Sequence, residues 1–167
     1  TNGVVRFSTV PEFTGLLLQP NTQTLVASAP LGTGMATNLV LKRYLPTGAA
    51  DTTFGGAAQG TVIFDNVSMG VDDASNLAIG PGPNGSILAA GRSFITPENV
   101  ASAVIWRFSE TGVLDTTFGD HMGRATWAMP LVVDVRQVFV HSTPAGLAYL
   151  SAWGPPSGGV PSQANAV

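Results

Sequence analysis

Cysteine is absent from the 167-residue chain, lysine occurs once, at Lys42, and only 10% of the residues are charged. Without cysteine there is no disulfide, no Fe–S ligation and no thiol nucleophile. Seven cations against ten carboxylates leave a formal net charge of −3, and the six arginines are scattered. There is no basic field to neutralise a row of phosphates, so nucleic acid is not an expected partner. Long apolar runs are missing too. The stretch 128–140 is broken by Pro130, Asp134 and Arg136, well short of the roughly 18–20 apolar residues that a spanning helix needs, and no membrane insertion is expected.

What the chain does have is glycine and proline, 20 and 12 residues, together with 44% hydrophobic content. The first two punctuate the sequence too often for long helices, and the third is too high for disorder. A turn-rich, all-β chain is expected. A surface built from Thr, Ser, Asn, Gly and Ala in place of Lys and Glu points to a secreted or cell-surface bacterial protein. No leader is visible, and a chain opening at Thr1 reads as processed or cut from something longer.

Self-similarity organises the sequence. Leu41-Lys42-Arg43-Tyr44, Thr47-Gly48 and Asp51-Thr52-Thr53-Phe54-Gly55 return 64 residues later as Ile105-Trp106-Arg107-Phe108, Thr111-Gly112 and Asp115-Thr116-Thr117-Phe118-Gly119. A second series aligns the segments starting at Pro20, Pro83 and, more weakly, Pro144; a third aligns those starting at Gly3, Gly60 and Gly123. The units run 1–59, 60–122 and, in part, 123–153, with the Pro- and Gly-rich 154–167 as a linker or flexible tail. Within the second unit, strands are expected at 61–64, near 76–79, at 86–90 and at 103–108, with Pro83-Asn84-Gly85 turning the second into the third. Four short strands per unit is the content of one propeller blade.

The Asp-Thr-Thr-Phe-Gly segment has a mechanical reading. Asp51 and Asp115 can fold back onto the N–H groups that follow and fix a turn. Phe54 and Phe118 would then drop into the groove between units, and Gly55 and Gly119 would release the chain.

On these residues, chiefly Val113 to Gly119 and Pro83 to Ile87, the repeat resembles the bacterial delta-60 type, with a match over roughly residues 3 to 153. The pattern departs at Ala50, where the type has Leu, at Thr22-Gln23, in place of the turn glycine, and throughout the third unit. The resemblance implies a large secreted or surface-anchored protein, a β-propeller fold and no enzymatic activity common to the repeat. About two and three-quarter units are present, fewer than the four blades that a closed propeller requires at minimum. The fold is expected to be incomplete unless the rest of a longer chain or homo-oligomer partners complete it.

Chemistry-bearing clusters are few. Asp72 and Asp73, expected in a turn beside Asn76, and Asp120 with His121 are the loop candidates for binding. They supply too few oxygens for the six to eight that calcium takes, and His121 and His141 have no third ligand at a zinc-like spacing. No metal or cofactor is expected, and no catalytic pair or nucleophile elbow stands out. Trp127 aligns with Phe7 and Phe64 and is expected in the core, whereas Trp106 stands where the first unit has Lys42 and is the surface aromatic for a glycan or a surface protein. The leading expectation is a non-catalytic scaffold or binding segment. The alternatives are part of a secreted polysaccharide-active hydrolase or lyase, and a self-assembling lectin or filament subunit.

Overall fold

The computed structural model describes residues 14–22, 25–33, 36–56, 60–64, 71–95, 100–119, 122–128, 138–142, 148–152 and 164–165. The chain is all-β, with antiparallel sheets and no α-helix among the described residues. The first sheet is a meander of β1 (Gly15–Leu18), β2 (Leu25–Thr33), β3 (Ala36–Tyr44) and β4 (Thr61–Phe64). The second repeats it with β5 (Val71–Pro81), β6 (Ile87–Ile95), β7 (Val100–Phe108) and β8 (Arg124–Ala128). In a third sheet, β9 (Val138–Ser142) pairs with β10 (Ala148–Ala152), which pairs with the two-residue β11 (Ala164–Asn165).

Sheet and sequence repeat are offset by one strand. Thr61–Phe64 opens the second sequence unit, yet it hydrogen-bonds to β3, with Lys42 opposite Thr61 and Leu39 opposite Phe64. Arg124–Ala128 closes the second sheet on β7 in the same way. Gly60 makes this return possible. Its N–H donates to the Phe54 carbonyl at 3.0 Å, its φ is +88°, and an added Cβ would stand 2.8 Å from the Asp51 carbonyl oxygen. Each connector is thus fastened at both ends to the sheet it leaves, and ladder hydrogen bonds tie successive units together.

The β5–β6 hairpin shows local chemistry setting register. Asn84 (φ 55°) and Gly85 (φ 77°) turn the chain inside a 3-10 turn, closed by Gly82 N–H to Ser86 O at 2.7 Å and Ser86 N–H to Pro83 O at 3.0 Å. Pro81 therefore pairs with Ile87. The first hairpin has Thr22 in place of Gly85, and there Leu18 pairs with Leu25, one residue further along. Without a residue at ease at positive φ, the loop takes one more residue to close.

Alternation along the strands builds the core. In β1, Leu17 is buried while Leu16 and Leu18 stand outside. The first sheet directs Leu17, Val26, Leu39 and Leu41 towards the second, which answers with Ile87, Ala89, Val104, Trp106 and Phe108. Phe64 meets Trp106 and Phe108 edge-on, at ring-centroid distances of 5.9 and 5.7 Å. The two sheets use unlike faces. Arg43 shares the inner face of the first sheet with Leu17 and Val26, whereas in the second sheet it is Trp106, the counterpart of Lys42, that faces inward. Stacking of unlike faces can be continued indefinitely. β9 packs on β5 and β6, as β5 packs on β1, β2 and β3.

Two expectations need correction. Trp106 is not a surface aromatic: it is 2% exposed, because β7 turns it into the contact between sheets, and its Nε1–H has no acceptor among the described residues. Asp72 and Asp73 are not in a turn. They lie in β5 opposite Ser93 and Arg92, and a register shift between Asp73 and Ala78 accommodates the polar run that a turn was expected to hold.

Candidate functional site

The polar groups that the fold brings together lie at the end of β3 and in the connector behind it. Asp51 accepts the Thr53 N–H at 3.0 Å and the Thr53 hydroxyl at 2.6 Å through Oδ1, which pins the connector as a local turn. Its Oδ2 takes Arg43 Nε at 2.8 Å and Nη2 at 2.8 Å, a side-on ion pair in which both residues are buried. The turn delivers Phe54 beneath the guanidinium, 4.8 Å from Arg43 Cζ to the ring centroid, with no exposed surface.

This clasp grips the next unit. Arg43 Nη1 donates to the Glu110 carbonyl at 2.7 Å, and the Gly55 N–H donates to the Thr111 carbonyl at 2.8 Å. Gln19, 1% exposed, inserts its carboxamide between them, with Nε2 donating to Glu110 O at 3.3 Å and Gly85 O at 3.5 Å, and Oε1 accepting from Arg43 Nη1 at 3.4 Å. Gly112 sits on the Phe54 ring. With φ at +84° and an added Cβ only 2.7 Å from Phe54 Cε2, this position admits glycine alone. Gly112→Ala is expected to lower the thermal midpoint by several degrees, since strain and a clash with a buried ring add about 2 kcal/mol or more. Gly48, at the matching turn of the first unit, also stands at positive φ, +82°, and Gly48→Ala is expected to lower the midpoint through the same backbone strain. Thermal melts of both variants check this.

The second unit builds the same clasp. Arg107 Nε and Nη2 reach Asp115 Oδ2 at 2.8 and 2.7 Å, Asp115 Oδ1 accepts the Thr117 N–H at 3.0 Å and hydroxyl at 2.6 Å, and Arg107 Cζ stands 4.6 Å over the Phe118 ring. What differs is the cover. Side-chain exposure is 25% for Arg107 and 31% for Asp115, against 7% and 10% for Arg43 and Asp51. Arg107 Nη1 has no acceptor among the described residues. Gly119 bridges to Arg124 instead of reaching a further turn.

Beside the open clasp is a pocket of about 270 Å³, walled by Pro83, Asn84, Ser86, Ser109 and Glu110 together with the Arg107–Asp115 pair. The register of β1 and β5 places Gly82 where the first unit has Gln19, so the side chain that plugs the first clasp is missing from the second. Ser86 Oγ is buried without a hydrogen-bond partner.

Both carboxylates are held below the ordinary aspartate range. For Asp51 the Thr53 hydroxyl is the largest influence; burial opposes it, and the Thr53 N–H and Arg43 reinforce it. For Asp115 the order is the Thr117 hydroxyl, then its N–H, with slight desolvation opposing and Arg107 contributing least. These are ionised, fully engaged groups, arranged to hold a turn rather than to exchange protons.

Of the residues singled out in the sequence, the structure brings Asp51, Phe54 and Gly55 into one clasp and Asp115, Phe118 and Gly119 into the other. The side chains of Asp72, Asp73 and Trp127 lie outside those described, as do Asp120 and His121 altogether. Among the described residues no three His, Asp or Glu side chains gather as metal ligands. Sequence reasoning missed Arg43, Arg107 and Gln19. The two arginines were legible as a fixed spacing of eight from their aspartates; Gln19 had no repeat partner to reveal it. No family model, curated protein or solved structure matches the chain.

Proposed function

We propose that the chain is a non-catalytic scaffold of stacked repeat units, propeller-blade-like in construction, working within a secreted or cell-surface bacterial protein. The observation that carries this reading is the clasp. The Asp, Thr, Phe and Gly that define the repeat serve to fasten one sheet to the next, with two main-chain carbonyls and a glycine of the following unit as their target. The resemblance to delta-60 repeats supports the same reading, as does a surface poor in charge. Stacking of unlike faces also supports it, because such contacts propagate and let a sequence unit be added without redesign.

Tandem duplication of residues 60–122 tests the proposal. The inserted unit presents its own Ser-Glu-Thr-Gly turn to the Arg107 clasp, so a cooperative chain with a thermal midpoint raised by about 5 °C or more is expected. A duplicated chain that melts in two transitions, or at an unchanged midpoint, removes the reading.

A further inference from the structure

We infer that the Arg107–Asp115–Phe118 clasp and its pocket form a docking site for a polypeptide turn of the x-Thr-Gly kind, one that presents a main-chain carbonyl to Arg107 Nη1 and a glycine to the Phe118 ring. The chain itself shows what such a site takes. At the first clasp, Arg43 Nη1 receives the Glu110 carbonyl at 2.7 Å, and Gly112 lies against Phe54. The second clasp reproduces the ion pair and the guanidinium-over-ring geometry to within about 0.2 Å and differs in being uncovered. Three observations mark it as a receptor: a guanidinium nitrogen with no acceptor among the described residues, a buried hydroxyl at Ser86 with no partner, and a pocket of about 270 Å³ beside the ion pair. Of these groups the Ser86 hydroxyl is buried and costly to leave unpartnered, while the half-buried Arg107 Nη1 is placed to donate to a carbonyl. Both partners of the ion pair keep contact with solvent, at 25% side-chain exposure for Arg107 and 31% for Asp115. Asp115 and Glu110 offset the charge of the arginine in the pocket lining, so the occupant is held through its main chain and not by its net charge.

The occupant is a turn of another repeat unit, so the inference rests on the stacking proposed above and gives its partner a definite chemistry. The test is an NMR titration of the full ¹⁵N-labelled chain with a capped peptide of residues 108–113, Phe-Ser-Glu-Thr-Gly-Val. Expected are saturable shifts at the Arg107 side chain, Asn84, Ser86 and Phe118, with a dissociation constant on the order of 1 mM. Affinity should fall at least tenfold in Arg107→Ala and in Arg107→Lys, which keeps the charge beside Asp115 but lacks the second arm of the fork. It should fall similarly when the glycine of the peptide is replaced by valine. No shift at about 5 mM peptide, binding unaffected by Arg107→Lys, or an equal response to acetamide or N-acetylglucosamine overturns the assignment. If the duplicated chain gains stability while the peptide fails to bind, the scaffold stands and the docking site falls.

Discussion

Phe54→Ala is expected to be the most damaging single substitution in the described part of the chain, costing about 3–5 kcal/mol, while Phe118→Ala costs about 1 kcal/mol or less. The two phenylalanines occupy the same place in the repeat, follow the same Asp-Thr-Thr and lie under the same guanidinium. They differ in what is above them. Phe54 is fully buried between its own sheet and the turn at Gly112, whereas Phe118 stays partly exposed. Removing the first ring opens a cavity in the contact between sheets and leaves Gly112 without its floor; removing the second removes surface that water already reaches. A domain's total stability is about 5–15 kcal/mol, so the first loss takes a large part of it. Urea unfolding of both variants decides the matter: equal losses would mean that burial between units does not set the value of the motif.

Asp51→Asn is expected to follow, at about 3 kcal/mol, because it leaves the buried Arg43 guanidinium facing a neutral amide. The same change at Asp115 should be much milder, since water screens that pair. The acid response has a definite sign. Both carboxyls have a folded-state pKa below that of an ordinary aspartate, so the unfolded chain binds protons first as pH falls. Their contribution is complete above the unfolded pKa, near neutral pH, and is lost as pH drops through about 4 and below. Urea midpoints should therefore be level between pH 6 and 8 in respect of these groups and fall between pH 4 and 3. Thr53→Ala removes the largest influence on Asp51 and should flatten that fall. An acid profile identical in wild type, Asp51→Asn and Thr53→Ala would show that the pair does not carry the response.

Much of this architecture was legible in the sequence. Turn chemistry is local, so Pro83-Asn84-Gly85 announces its hairpin and Thr61–Phe64 its strand. Strand pairing is not local. Nothing in the residues 61–64 tells whether they open one sheet or close another; that depends on Gly60 folding the connector back along β3. The Trp106 expectation failed for a related reason. Alignment with Lys42 suggested exposure, but the first sheet turns that face away from the second, and the second turns it in.

By itself the sequence determined the lack of cysteine, the scarcity of charge, the all-β composition and the period of the repeat, because each of these is a property of residue types and their spacing. It also marked Asp51 and Asp115 as turn residues, since their partners Thr53 and Thr117 are two positions away. Only the tertiary structure decided that one clasp is closed and the other open. The Arg, Asp, Thr and Phe of the two clasps are the same; what differs is whether a carbonyl 67 residues away reaches the arginine, and a contact at that separation is set by how the sheets stack.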